Sequence, residues 1–344
     1  MAGQKTRSGA TRRQHWVPRF YLRHFADADG RLWAYRRDSD SIYRTHIKDV
    51  CVQYDLYEVR HSGPESGGAG KSYMPNLIER KLSELEGHLA QGYERFLDCC
   101  EKEEQDGATL LDGRAVLCEL AANLIVRHPA AVADGRGTAN WVASWLRENA
   151  ELMEELRPVL NWSEWGGDYD ALAGLTAQAT SLFSDDPAAP ARRTAEELSE
   201  KGLMVLEAPD DAAFITASTP LFVTGPEDDS YDFDELYMPL NGRYAVLFSN
   251  GGHPAYAKLT CEGANCANCL MLLNSKHWDL VLAAGRDSLG LAVGGWKDAL
   301  RKRRREGIID TIDLASGKDE RRGSIDALAA HGLSQFHNRC RGYC

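Results

Sequence analysis

The stretch Glu235-Leu236-Tyr237-Met238-Pro239-Leu240, Asn241-Gly242, Arg243-Tyr244-Ala245-Val246-Leu247-Phe248-Ser249 reads as two strands about a tight turn. Asn-Gly tolerates the positive backbone dihedrals of a two-residue hairpin turn, and the aromatic and β-branched residues on either side favour a pleated strand. Towards the N-terminus, 203–207, a Pro209-Asp210-Asp211 turn and 213–216 predict a second hairpin. Towards the C-terminus the pattern predicts a helix over 263–277, a strand over 279–284, a helix over 295–306 and a strand over 308–314.

Before these strands the period is helical. Ile78, Leu82, Leu85, Leu89, Tyr93 and Phe96 recur every three or four residues, which predicts a long amphipathic helix from Pro75 to about Cys100. A second helix over 110–128 is apolar nearly all round and belongs in a core, with Pro129 as its stop. Further helices are predicted over 138–156 and 169–183, followed by a breaker-rich connection at 185–191. At the start of the chain, 31–37 and 41–47 alternate about Asp38-Ser39-Asp40 as a hairpin, and 51–59 reads as extended. The Gly-rich 62–70 reads as a flexible loop, and the aromatic-rich Gln14-to-Phe25 run should be buried. Strands, then helices, then strands with interspersed helices predict an α+β protein, its N- and C-terminal strands forming a sheet packed on a central helical layer. The expected divisions are a basic arm over 1–13, one domain over 14–316 and a cysteine-containing tail over 317–344.

The 344 residues hold 40 Lys+Arg against 51 Asp+Glu, a net charge of -11, with 43% hydrophobic residues. That composition excludes collagen-like, disordered and small disulfide-scaffold classes. The charge divides unevenly: +6 over 1–50, +4 over 297–344 and -21 between them. Met1–Arg13 has no apolar stretch after it and no run reaches the ~18 apolar residues of a membrane helix, so the expectation is a cytoplasmic protein with no membrane partner. Its nine cysteines then read as thiols or metal ligands.

Several segments together resemble the bacterial domain of unknown function 4238. They are His15-x-Val17-Pro18-x-Phe20-Tyr21-Leu22-x-x-Phe25, Ile78-Glu79-x-x-Leu82-Ser83-x-x-Glu86, Arg127-x-Pro129, Phe214-Ile215-Thr216 before Pro220, and Leu273-Asn274. The resemblance brings no reaction with it. It implies an acidic residue at the position held here by Ser218, which suits either a lost catalytic acid or a turn acceptor, a role that a hydroxyl also fills. The cysteine-rich tail is a second departure from the family's pattern.

At about 100° per residue Glu79 and Glu86 fall within about 20° of each other on the first long helix. Two carboxylates there suit a divalent cation or acid–base work; the plainer reading is a solvated helix edge near Arg80, Lys81 and Arg95. Glu119, Asn123 and Arg127 form a polar stripe at i, i+4, i+8 on the apolar helix. Either Asn123 bridges Glu119 to Arg127 inside the core, or Arg127 is a fork for a phosphate or carboxylate. His15 is a core histidine or a proton carrier, and with Glu79, Glu86 and Arg127 it makes a candidate catalytic set. Ser218 and Asn274 join Glu119 and Asn123 in a candidate polar network.

Cys266 and Cys269, with Cys340 and Cys344 and with Cys261 and His337 in support, have spacings that suit a structural zinc site or buried thiols. Arg301, Arg303, Arg304 and Arg305 on a short helix offer a nucleic-acid contact or a solvated face. No phosphate-cradling glycine loop, nucleophile elbow or His-Glu-x-x-His motif is present. Two readings stand: a hydrolase-like enzyme, as a metal-dependent phosphodiesterase or nuclease, and a non-catalytic binding module whose polar network holds its core.

Overall fold

The computed structural model describes residues 12–60, 76–102, 107–149, 151, 168–224, 234–250, 256–275 and 277–305. The chain opens with β1 (Arg13–His15), α1 (Arg19–Arg23), β2 (Arg31–Arg36), β3 (Ser41–His46) and β4 (Val52–Tyr54). A helical block follows: α2 (Leu77–Glu101), α3 (Gly107–Val126), α4 (Pro129–Glu148), α5 (Tyr169–Phe183) and α6 (Pro190–Glu200). The last part runs β5 (Gly202–Glu207), β6 (Thr216–Ala217), β7 (Phe222–Thr224), β8 (Glu235–Pro239), β9 (Tyr244–Ser249), β10 (Tyr256–Lys258), α7 (Cys261–Asn274), β11 (Leu280–Ala283) and α8 (Arg286–Arg305).

The protein is α+β. Its described strands form three sheets, not the single sheet predicted: β1-β4, β10-β5-β9-β8-β7 and β3-β2-β11-β6. The last of these does combine the N-terminal hairpin with strands from the far end of the chain. The β8–β9 hairpin is present with Pro239 opposite Ala245, and the Asn241 side chain accepts from the backbone N–H groups of Arg243 and Tyr244 at 2.8 and 2.6 Å. Both strands are buried along their whole length. Leu236, Met238, Val246 and Phe248 pack with helices α2 and α3, whereas Tyr237, Ala245 and Leu247 pack with α7 and α8. A sheet covered on both faces explains why the strands carry no polar alternation.

Three expectations need correction. Residues 203–207 and 213–216 do not pair. β5 takes the full six-residue register of β9 and a parallel partner in β10, and β6 joins β11 in the other sheet. Pro129 starts α4 instead of only stopping its predecessor, with His128 capping it by accepting from Ala130 N–H at 3.2 Å. Pro190 likewise opens α6 in what reads as a breaker-rich connection, and Pro18 precedes α1. Proline's fixed dihedral and missing N–H suit a first helical turn as well as a break. The arm as far as residue 11, the loop at 62–70, the strand at 308–314 and the tail lie outside the described residues. Arg12 and Arg13 are paired to Asp55 and Asp49.

Candidate functional site

Three elements converge on Arg127: the β1–β4 ribbon, α2, and the junction of α3 with α4. Arg127 is 1% exposed. Its Nη2 donates to the main-chain oxygen of His15 at 2.7 Å and pairs with Glu86 Oε1 at 2.7 Å. The Tyr57 hydroxyl donates to the Arg127 carbonyl at 3.2 Å, and Tyr57 N–H donates to Gln14 Oε1 at 2.7 Å. Gln14 in turn donates to Glu58 Oε1 at 3.1 Å, which also accepts from Asn76 N–H at 3.0 Å where α2 begins. The chain of contacts thus ties the ribbon, through one buried guanidinium and one carboxylate, to the start of the helix that carries Glu79 and Glu86.

Glu79 makes no ion pair in this cluster, and its Oε2 is buried with no hydrogen-bond partner. Burial pushes its carboxyl up to about 7; the charges of Glu86 and Glu58 add to the rise and Arg127 opposes it. The Nε and Nη1 atoms of Arg127 and Nε2 of His15 are also buried and unpartnered. His15 enters the cluster through its main-chain oxygen. Burial, with Arg19 and Arg13 nearby, brings its ring down to about 4, so the imidazole is neutral at physiological pH. The four candidate residues are gathered in one place, and the group that titrates near neutrality there is Glu79. Gln14, Tyr57 and Glu58 were missed; Gln14 adjoins His15, and the other two lie in the short extended segment after Cys51.

The predicted bridge from Glu119 through Asn123 to Arg127 does not form. Glu119 is exposed, the Asn123 amide donates to the Glu119 backbone carbonyl at 3.2 Å, and Arg127 turns to α2. One turn of helix brings i and i+4 close, and the main-chain carbonyl there outcompetes a side chain that can reach water. Ser218 lies elsewhere, fully buried: its hydroxyl donates to Asp279 Oδ1 at 2.5 Å and accepts from Asp279 and Leu280 N–H groups at 3.0 and 3.2 Å. Its carbonyl accepts from Trp16 Nε1 at 2.8 Å. Asn274 Nδ2 donates to Leu270 O at 2.7 Å.

Cys266 and Cys269 are buried on α7; Cys266 is disulfide-bonded, which corrects its reading as a thiol or zinc ligand, and Cys261 lies within 3.6 Å of Asn265 Nδ2. Cys340, Cys344 and His337 lie outside the described residues, among which no group of three His, Cys, Asp or Glu side chains is placed to hold a metal. Arg301 pairs with Asp298 at 2.7 Å and Lys297 with Asp40, while Arg303, Arg304 and Arg305 occupy the last turn of α8. No single described helix is long and apolar enough to cross a membrane.

These features define an α+β protein whose N-terminal ribbon and first long helix are joined by a buried arginine paired with a half-buried glutamate, beside a carboxyl raised by burial. The chain belongs to the family described as protein of unknown function (DUF4238), whose model matches residues 13–283. No curated protein and no solved structure matches it.

The raised carboxyl has a measurable consequence. Between its ordinary value of 4.5 and about 7, native Glu79 keeps a proton that the unfolded chain has released, so stability from this group falls as pH rises through that window. His15 and His128, both lowered to about 4, act oppositely between there and 6.5. In a comparison of wild type with Glu79→Gln those histidine contributions cancel. Between about pH 5 and about pH 8 the variant should gain about 1–2 kcal/mol on wild type, after discounting for Glu79's partial exposure. Urea denaturation at the two pH values measures the difference, and a pH-independent difference would refute the raised carboxyl.

Proposed function

We propose that the chain is a hydrolase-like enzyme for an anionic, phosphodiester-type substrate, with Glu79 as the proton carrier and the unused N–H groups of Arg127 as the anion's donors. One observation carries this reading: of ten buried polar side-chain atoms without partners among the described residues, four, Glu79 Oε2, Arg127 Nε and Nη1 and His15 Nε2, belong to residues of one cluster. Buried polar atoms ordinarily find partners, and a carboxyl titrating near 7 suits general acid–base catalysis. Glu86, 26% exposed, marks the side from which a substrate enters. Because Glu86 is already engaged by Arg127, the reading gives no role to a cation held between Glu79 and Glu86.

The test is turnover of a chromogenic phosphodiester and of single- and double-stranded nucleic acid by the full chain, with and without magnesium, at two salt concentrations. Glu79→Gln should lose about 10²–10⁴-fold in rate, and the wild-type profile should report an apparent pKa near that of Glu79. Arg127→Lys keeps the charge and should retain part of the activity. Equal rates for wild type and Glu79→Gln would end the reading.

A second reading rests on the near-complete burial of Arg127, which a structural clamp also requires. In that case the protein is a non-catalytic binding module. Absence of turnover on every substrate, together with a large loss of stability on removing Arg127, is its signature.

A further inference from the structure

Arg127 and His128 are neighbours at a sharp break: the axes of 113–126 and 129–148 meet at 66°. Arg127 serves the cluster described above, whereas His128 borders a separate cavity of about 760 Å³. Aliphatic side chains of α3, α4 and α5, with Phe222, form its apolar wall, among which Thr138, Thr176, Thr180 and Ser181 place hydroxyls. That volume lies within the range of sites for small organic ligands, which combine apolar walls with a few convergent polar groups. Here the polar end is made by His128, Thr219, Asn274 and His277.

The chemistry of that end can be read from bonds already made. His128 Nδ1 accepts from Ala130 N–H at 3.2 Å, so the neutral ring carries its hydrogen on Nε2, which faces Thr219 Oγ1 at 3.4 Å. Thr219 is therefore supplied with a donor and has its own hydroxyl hydrogen to give. Asn274 has committed Nδ2 to Leu270 O, so it offers Oδ1 as an acceptor. A donor and an acceptor lining one cavity match a carboxamide. Among the described lining residues the ionisable ones are His128, His277 and Asp134, with no lysine or arginine to meet an anion. Burial brings His128 down to about 4, so it adds no positive charge at neutral pH.

We infer that the cavity at the α3–α4 break binds an uncharged ligand with an apolar body and a carboxamide-type head, the body lying against α4 and α5 and the head at Thr219 and Asn274. The site is independent of the proposed Glu79 chemistry and stands or falls separately.

The full chain is titrated with the uncharged fluorophore N-phenyl-1-naphthylamine, then competed with decanamide, decanoate and decylamine. Saturable fluorophore binding is expected, with decanamide displacing it at a Kd on the order of 10 µM. The two charged analogues should be at least about tenfold weaker, since each must bring a desolvated charge into an apolar site. Ala177→Phe narrows the cavity at α5 and should weaken binding of both fluorophore and decanamide about tenfold. Thr219→Val keeps shape and should weaken decanamide about tenfold, leaving the fluorophore unchanged. Absence of saturable binding by the wild type, binding left unchanged by Ala177→Phe, or equal displacement by all three analogues each overturns the inference; far-UV circular dichroism confirms that the variants are folded.

Discussion

Arg127→Ala lowers the unfolding free energy by about 3–5 kcal/mol, the cost of breaking a buried charge pair from one side. The guanidinium is 1% exposed and holds the His15 carbonyl and the Glu86 carboxylate together. Truncation leaves that carbonyl without its donor and opens a void among Tyr57, α2 and the ribbon. Glu86 is 26% exposed, yet its loss is not cheap: Glu86→Gln leaves the buried guanidinium without its counter-ion and should also cost about 3 kcal/mol. Urea denaturation of both variants measures the two losses. A loss below about 1 kcal/mol for Arg127→Ala would mean that the cluster does not clamp the ribbon to α2.

Gly113→Val should be the second costly change, at about 3 kcal/mol, near the upper end of what overpacking usually costs. A Cβ at Gly113 would sit 2.3 Å from the Phe96 ring, and one at Gly92 would sit 2.4 Å from Val116. The two glycines therefore set how closely α2 and α3 approach, each receiving a large side chain of the other helix. Gly87, on the same α2, has nothing within 4 Å of such a Cβ. Gly87→Ala should stabilise by up to about 1 kcal/mol through helix propensity alone, while Gly92→Ala should destabilise despite the same gain. Opposite signs on one helix, read from thermal or urea unfolding, separate packing from propensity. A neutral Gly113→Val would show that the two helices are not in close contact there.

How much of this was legible in the sequence depends on the range of the interaction. The stripe on α2 was readable because Ile78, Leu82, Leu89, Tyr93 and Phe96 are buried at helical spacing, and Leu85 is half-buried. The Asn241-Gly242 hairpin was readable in its two strands but not in its turn: neither residue takes the positive φ of a two-residue turn, and Leu240 N–H bonds to Tyr244 O across a longer loop. Strand partners across long separations were not: nothing local to Thr216 and Ala217 announces pairing with Val281 and Leu282. Pro129 and Pro190 misled because one residue type both ends and begins helices. At the candidate site, helical geometry brought Glu79 and Glu86 to one edge, but it could not show that Arg127 would reach α2 or that His15 would contribute an oxygen of its backbone. Tyr57, Gln14 and Glu58 sit in extended segments where alternation says which face is buried and not what it meets.

The four-stranded sheet imposes an order on the chain's birth. β11 lies between β2 and β6, so the hairpin at residues 31–46 has no central neighbour until Leu280–Ala283 has been made. At roughly 5–20 residues per second the ribosome needs on the order of ten seconds or more to cover that distance. For that interval the β2 edge and its apolar Leu32, Ala34 and Tyr35 are open to any strand that passes. Nascent chains of this protein therefore depend, for the β2–β3 hairpin, on a strand that follows it by more than two hundred residues.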